Sequence, residues 1–196
     1  MSKAYETIRS RLWLILLATF LFVYGIHVGL TASPVEEASA SAKLIEVIKE
    51  LAKLYKPYSL STMVFLLVKN SLTMYLIYFA GIMLAFPSAI VVILNGFVVG
   101  VVGKILAEEH GASTAFLSLA THGVFEVAAL VIAAAFGLNL GLCVLKRVFK
   151  ISSRAKVSLR DLIKLDLASL TVVGIPLLAI AAFMETFVTP MVSGLY

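Results

Sequence analysis

Residues 71–103 run without a single formal charge, and residues 111–145 carry only His122 and Glu126 as ionisable groups. Apolar stretches of about 18 residues or more are long enough to cross the roughly 30 Å hydrocarbon core of a bilayer as helices. Such stretches fill most of this 196-residue chain, which is 61% hydrophobic and 14% charged, with a mean hydropathy of +1.05. That pattern excludes a disordered chain, a disulfide-stapled secreted domain and an ordinary soluble enzyme. It predicts an all-α fold: a polytopic membrane helix bundle, with residues 1–196 forming one integral membrane domain. The lone cysteine, Cys143, excludes an internal disulfide framework and a multi-cysteine metal site.

Charge placement sets the expected topology. Of sixteen Lys and Arg, seven lie within 146–164 and three precede Leu12. Basic segments beside spans mark the cytoplasmic side. A nucleic-acid partner would need aromatic or groove-reading residues among those charges, and 146–164 offers only Phe149. The expected partner is the lipid bilayer, with no nucleic acid.

Five spans are expected, at about 12–30, 70–86, 88–106, 123–146 and 167–188. The first follows Lys3, Arg9 and Arg11 and reads as a permanent span, because Pro34 directly after Thr31-Ala32-Ser33 suits signal-peptide cleavage poorly. Ser33, Pro34 and Glu36 start a helix. Leu44, Ile45, Ile48, Leu51, Ala52 and Tyr55 then give it an apolar stripe, so 34–56 is expected as an outer amphipathic helix. Phe86-Pro87-Ser88 is expected to turn the chain between two antiparallel spans, leaving Lys69 and Lys104 at the outer interface. Residues 111–145 would measure about 52 Å as one helix, too long for one span and too short for two. A short interfacial or re-entrant helix over 112–121, broken at Thr121-His122-Gly123, is the expected solution. The count places the N-terminus and the basic 146–166 loop in the cytoplasm of a cell-membrane protein, with the C-terminus outside.

Polar residues inside spans are expensive. Glu126 lies near mid-membrane if its helix starts near Ser113, and one turn from the outer surface if it starts at Gly123. Either way it needs a partner or a proton. His122 is one helical turn earlier on the same face. The pair could be a proton relay, half of a metal site or a structural hydrogen bond. A zinc centre normally takes three protein ligands; His27 and His110 could approach from the outer side, which makes a metal imaginable, but the sequence lacks an HExxH helix, and no metal or other cofactor is expected. Asn95 can hydrogen-bond across helices, and Glu185 could meet Lys69, Lys104 or His27. Gly25/Gly29, Gly96/Gly100 and Gly137/Gly141 have the small-xxx-small spacing of close helix packing, which supports a homodimer only weakly. No nucleophile elbow, phosphate-binding loop, dinucleotide fingerprint or zinc-protease helix is present.

Several words occur together in order: Asn70 opening a span, Gly81, Leu94-Asn95-Gly96 with Gly100, and His122-Gly123-Val124-Phe125-Glu126. Gly137-Leu138 with Gly141 follows, then Glu185-Thr186-Phe187-Val188-Thr189-Pro190. In these the chain resembles the stage II sporulation protein M family over roughly residues 65–190. Thr121 stands where that family often has proline. The resemblance implies a multi-span protein that, in spore formers, works with cell-wall hydrolases during engulfment. Members also occur in organisms that never sporulate, so what carries over is a membrane scaffold with a polar core of Asn95, His122, Glu126 and Glu185. The leading expectation is therefore a non-catalytic scaffold or anchor for unidentified protein partners. The alternative is a small dimeric transporter, channel or lipid-moving protein using the His/Glu site; an intramembrane metalloenzyme ranks last.

Overall fold

The computed structural model describes residues 2–32, 55–150 and 158–193. They form a polytopic helical membrane bundle. Among them, five helices are long and apolar enough to cross a membrane. A short helix, α1 (Ser2–Arg9), precedes the spans α2 (Leu12–Thr31), α3 (Leu60–Ala80), α4 (Phe86–His110), α5 (Ala112–Val148) and α6 (Leu159–Ser193). Residues 34–54 of the expected amphipathic helix lie outside the described residues, as do 151–157 of the basic segment.

The central element is α5. Buried residues make up 61% of its apolar stretch, against 22–33% for the other spans. Ala129, Ala133, Ala134, Ala135, Phe136 and Leu140 are completely enclosed. Its alanine-rich middle lets neighbours approach closely, which lipid-embedded helices need because hydrocarbon gives no hydrophobic drive for association.

Glycines bring two pairs of helices into backbone contact. On α2 and α4, a Cβ at Gly25 would fall on the Ile93 carbonyl, at Gly29 on that of Phe97, at Gly96 on that of Phe22 and at Gly100 on that of Ile26. At the opposite helix pair, a Cβ at Gly81 would strike Gly137, and one at Gly141 would strike Ala85. These spacings are therefore spent on packing within one chain and give no support to a homodimer.

Three boundaries differ from the sequence reading. The turn between α3 and α4 lies at 81–85, ahead of Pro87, because proline suits the first turn of a helix, where its missing N–H costs nothing. Leu84 and Ala85 adopt left-handed conformations, with φ of 62° and 71°. The reversal is secured by Ser88 Oγ, which donates to the Ile77 carbonyl at 2.6 Å. Second, α3 starts at Leu60 rather than at residue 70, so Lys69 lies about 14 Å along the helix and not at its end. The apolar run 60–68 continues through one lysine because that charge finds carboxylates nearby, as described below.

Third, no break occurs at Thr121-His122-Gly123. The expected 112–121 helix and the following span are one 37-residue helix. It contains no proline, and a glycine inside a helix costs only about 1 kcal/mol. At roughly 55 Å, α5 is longer than the bilayer core is thick. Similarly, residues 159–166 of the expected basic loop are helical and begin α6, capped by Ser158, whose Oγ accepts the Asp161 N–H at 3.1 Å.

Gly96→Val should destabilise the purified protein by at least about 1–3 kcal/mol, because its side chain would meet the Phe22 backbone. Gly123→Ala, with nothing within 4 Å of the added Cβ, should be neutral or stabilising by up to about 1 kcal/mol. Thermal unfolding in one detergent reads both, and equal losses would contradict the packing described.

Candidate functional site

Two polar layers interrupt the apolar interior. The first lies near the 81–85 turn. Arg11, immediately before α2, pairs with Asp166 of α6 at 2.6 Å, with side-chain exposures of 8% and 0%. The Tyr78 hydroxyl donates to Asp166 Oδ2 at 3.3 Å, and the guanidinium stacks 4.3 Å from the centre of the Phe136 ring. Here α2, α3, α5 and α6 are joined by one ion pair with a hydrogen bond and a cation–π contact. The sequence reading used Arg11 only as a charge preceding the first span and did not single out Asp166. Their signal was positional: each stands at the start of a span, where side chains from two helices can meet at one level.

The second layer lies farther along the bundle. From Phe136 to Glu126 is ten residues of α5, roughly 15 Å. Between the layers, Met74, Ile77, Ala129, Ala133 and Leu178 have no exposed surface. His122 and Glu126 of α5 project towards Glu185 of α6, and one ligand atom from each lies within 4.8 Å of the others. Lys69 of α3 interacts electrostatically with Glu126, Glu185 and His122. Asn70 is 2% exposed, with its amide beside Glu126, yet Nδ2 makes no hydrogen bond of good geometry. Thr186 Oγ1, on the residue after Glu185, is also buried without a hydrogen-bond partner. On the other side, Thr189 Oγ1 lies 2.7 Å from Thr121 Oγ1 and 3.4 Å from His122 Nδ1.

The local backbone places these groups. α6 is not uniformly α-helical: Leu170–Gly174 and Met184–Val188 are π-helical turns. The first follows Asp166 and the second contains Glu185 and Thr186. Such turns inside α-helices are frequent at functional sites. The second is held by the chain that leads into α3. The Tyr55 hydroxyl donates to the Glu185 carbonyl at 2.7 Å, and the Tyr58 N–H to that of Thr186 at 3.1 Å.

A cavity of about 900 Å³ lies between α2, α4 and α5, lined by Phe22, Ile26, Asn95, Val99, His122 and Glu126 among others. His122 and Glu126 thus border both the cluster and the cavity. Of the residues singled out from sequence, His122, Glu126 and Glu185 come together. Asn95 shares the cavity but spends its amide on the Val91 carbonyl of its own helix, at 2.8 Å. Asn70 and Thr189, singled out from sequence only as family-motif positions, border the polar cluster. Gly123 lines the cavity, and Pro190 is buried beside Thr189. His27 is not in the cluster, and His110 instead lies 3.7 Å from Glu109. Lys104 donates to the Ala32 carbonyl at 2.8 Å rather than meeting Glu185.

The family model of stage II sporulation protein M matches residues 14–190, a range that includes every group in both layers except Arg11. The chain belongs to the stage II sporulation protein M family. It is also 29% identical over 129 residues to an uncharacterised protein of Methanocaldococcus jannaschii, covering 65% of this chain and 71% of that one. No solved structure matches it significantly. In this family member, the His-Gly-Val-Phe-Glu word at 122–126 is therefore an uninterrupted helix facing the Glu185-Thr186-Phe187-Val188-Thr189-Pro190 word across the α5–α6 contact.

Removing one partner of a buried ion pair leaves the other charge uncompensated, a loss of about 3–5 kcal/mol. Arg11→Ala should show a loss of that size in unfolding by denaturing detergent. Arg11→Met combined with Asp166→Leu should recover most of it, since apolar replacement of both partners is often neutral. A double variant as unstable as the single one would show that the pair itself is not the source.

Proposed function

We propose that the protein is a small, non-catalytic transporter or channel that binds a cation at the His122–Glu126–Glu185 cluster within the membrane. The observation that carries this reading is the paired arrangement along α6. Each π-helical turn adjoins a polar layer, and a closed apolar layer separates the two. Ionisable residues inside a bundle often mark ion or proton paths, and irregular backbone at membrane depth is used where it lines a site. The basic residues near α1 and at 146–164 support an orientation with the Arg11–Asp166 layer towards the cytoplasm and the cluster towards the outside of the cell membrane. Five spans make a small unit, so a complete pathway formed between two copies fits this reading.

The second reading is a scaffold that positions protein partners, as family membership suggests. One observation favours it: Lys69 is exposed although it stands midway along α3. Besides Glu126 and Glu185, its ammonium group could meet an acidic residue of a partner helix, which lipid tails cannot replace. Crosslinked co-purification from native membranes tests that role directly.

In proteoliposomes, Glu126→Gln should reduce cation-coupled or proton-coupled flux to the level of empty vesicles while leaving the set of crosslinked partners unchanged. Flux equal to the unsubstituted protein would remove Glu126 from the path. Loss of partners without loss of flux would favour the scaffold.

A further inference from the structure

We infer that His122, Glu126 and Glu185 form a three-ligand site for a divalent first-row metal ion of the zinc class, with Lys69 as a built-in competitor for the two carboxylates. This inference rests on reading the cluster as the working site and names the class of ion it takes. The geometry is close to what such an ion needs. A tetrahedral centre with bonds of about 2.1 Å holds its ligand atoms roughly 3.4 Å apart. In this protein the three atoms lie within 4.8 Å of one another, so rotamer adjustments of about an ångström would close the site. The ligand set is one imidazole and two carboxylates, a combination suited to zinc and its neighbours rather than to magnesium or calcium. His122 and Glu126 are one turn apart on a single helix, which fixes their separation. Glu185 arrives from the π-helical turn opposite.

Asn70 gives a second, independent indication. It is almost wholly buried, and its amide lies beside Glu126 with Nδ2 making no hydrogen bond of good geometry. A buried amide without a well-formed hydrogen bond is costly. Turning it about its last torsion would present Oδ1 instead of Nδ2, and an oxygen aimed at the cluster is stabilised by a cation there. Charge gives a third. Two ionised carboxylates match a divalent ion, and in its absence the Lys69 ammonium interacts with both of them. Lys69 is exposed on α3, so its flexible stem can swing aside when an ion enters. Access is available because His122 and Glu126 also line the cavity between α2, α4 and α5.

The test is titration of untagged, full-length protein in detergent with zinc chloride by calorimetry, with magnesium chloride as the control. The expected result is one saturable zinc equivalent per chain and no magnesium binding. Glu185→Gln and His122→Ala should each weaken zinc binding by more than the roughly 10–100-fold that loss of an outer partner alone causes. Lys69→Met should tighten it several-fold. Size-exclusion profiles identify any variant that fails to fold, and the Lys69→Met gain then decides, since misfolding cannot produce it. Absence of saturable zinc binding, or binding unchanged in Glu185→Gln and in Lys69→Met, overturns the inference. Zinc binding without Glu126-dependent flux would sustain this site and overturn transport. Glu126-dependent proton flux without zinc binding would do the reverse.

Discussion

Backbone-to-backbone contact between helices is the constraint on which the remaining structure depends. In hydrocarbon, apolar side chains gain nothing by leaving lipid for protein, so the bundle must be held by close fit and by polar contacts. Four glycines let α2 and α4 touch through their main chains, and Gly81, Gly137 and Gly141 do the same where the 81–85 turn meets α5. Ala85 sits against Gly141 with a left-handed backbone. Once these contacts are set, α5 is fixed as the axis, and the residues on its faces are assigned: alanines to the interior, His122 and Glu126 to the polar cluster. The cavity lies between the closely joined α2–α4 pair and α5.

Much of that architecture was legible. Charge-free runs located the spans, and the small-xxx-small spacings identified the contacts that hold them. The boundaries were harder for physical reasons. Pro87 was read as a breaker where it acts as a helix starter, and a single lysine was read as an interface marker. Membrane thickness argued for a break in 112–148, but thickness limits only the part of a helix that is in lipid. Hydrogen-bonding continuity within α5 is unaffected by where the lipid ends, and neither Gly111 nor Gly123 removes a donor as proline would.

The polar cluster was legible in part. His122 and Glu126 share a face by their spacing alone, and the cost of intramembrane charge drew attention to Glu185. Their convergence was not readable, because it depends on how α6 is rotated against α5, and the π-helical turn at Met184–Val188 sets that rotation. For the same reason the third ligand-type group was sought at His27 and His110, on helix ends, and not across the α5–α6 contact. Arg11, Tyr78 and Asp166 were missed altogether. They lie 67 and 88 residues apart along the chain, and each looks ordinary in its own segment.

The two polar layers differ in a way that assigns them different work. Arg11 and Asp166 cancel each other's formal charge, Tyr78 adds a hydrogen bond, and Phe136 covers the guanidinium. Such a layer is complete within the chain and suits a structural tie. The other layer is not complete. With its carboxyls ionised, Glu126 and Glu185 exceed Lys69 by one negative charge. Lys69 itself is exposed, the Asn70 amide lies against Glu126, and the Thr186 hydroxyl is buried without a hydrogen-bond partner. Charged and polar groups in a low-dielectric interior need partners, and this layer draws its positive charge from one exposed lysine. A layer balanced by one exposed, flexible ammonium group can exchange it for a proton or another cation, whereas the buried Arg11–Asp166 pair has no such freedom.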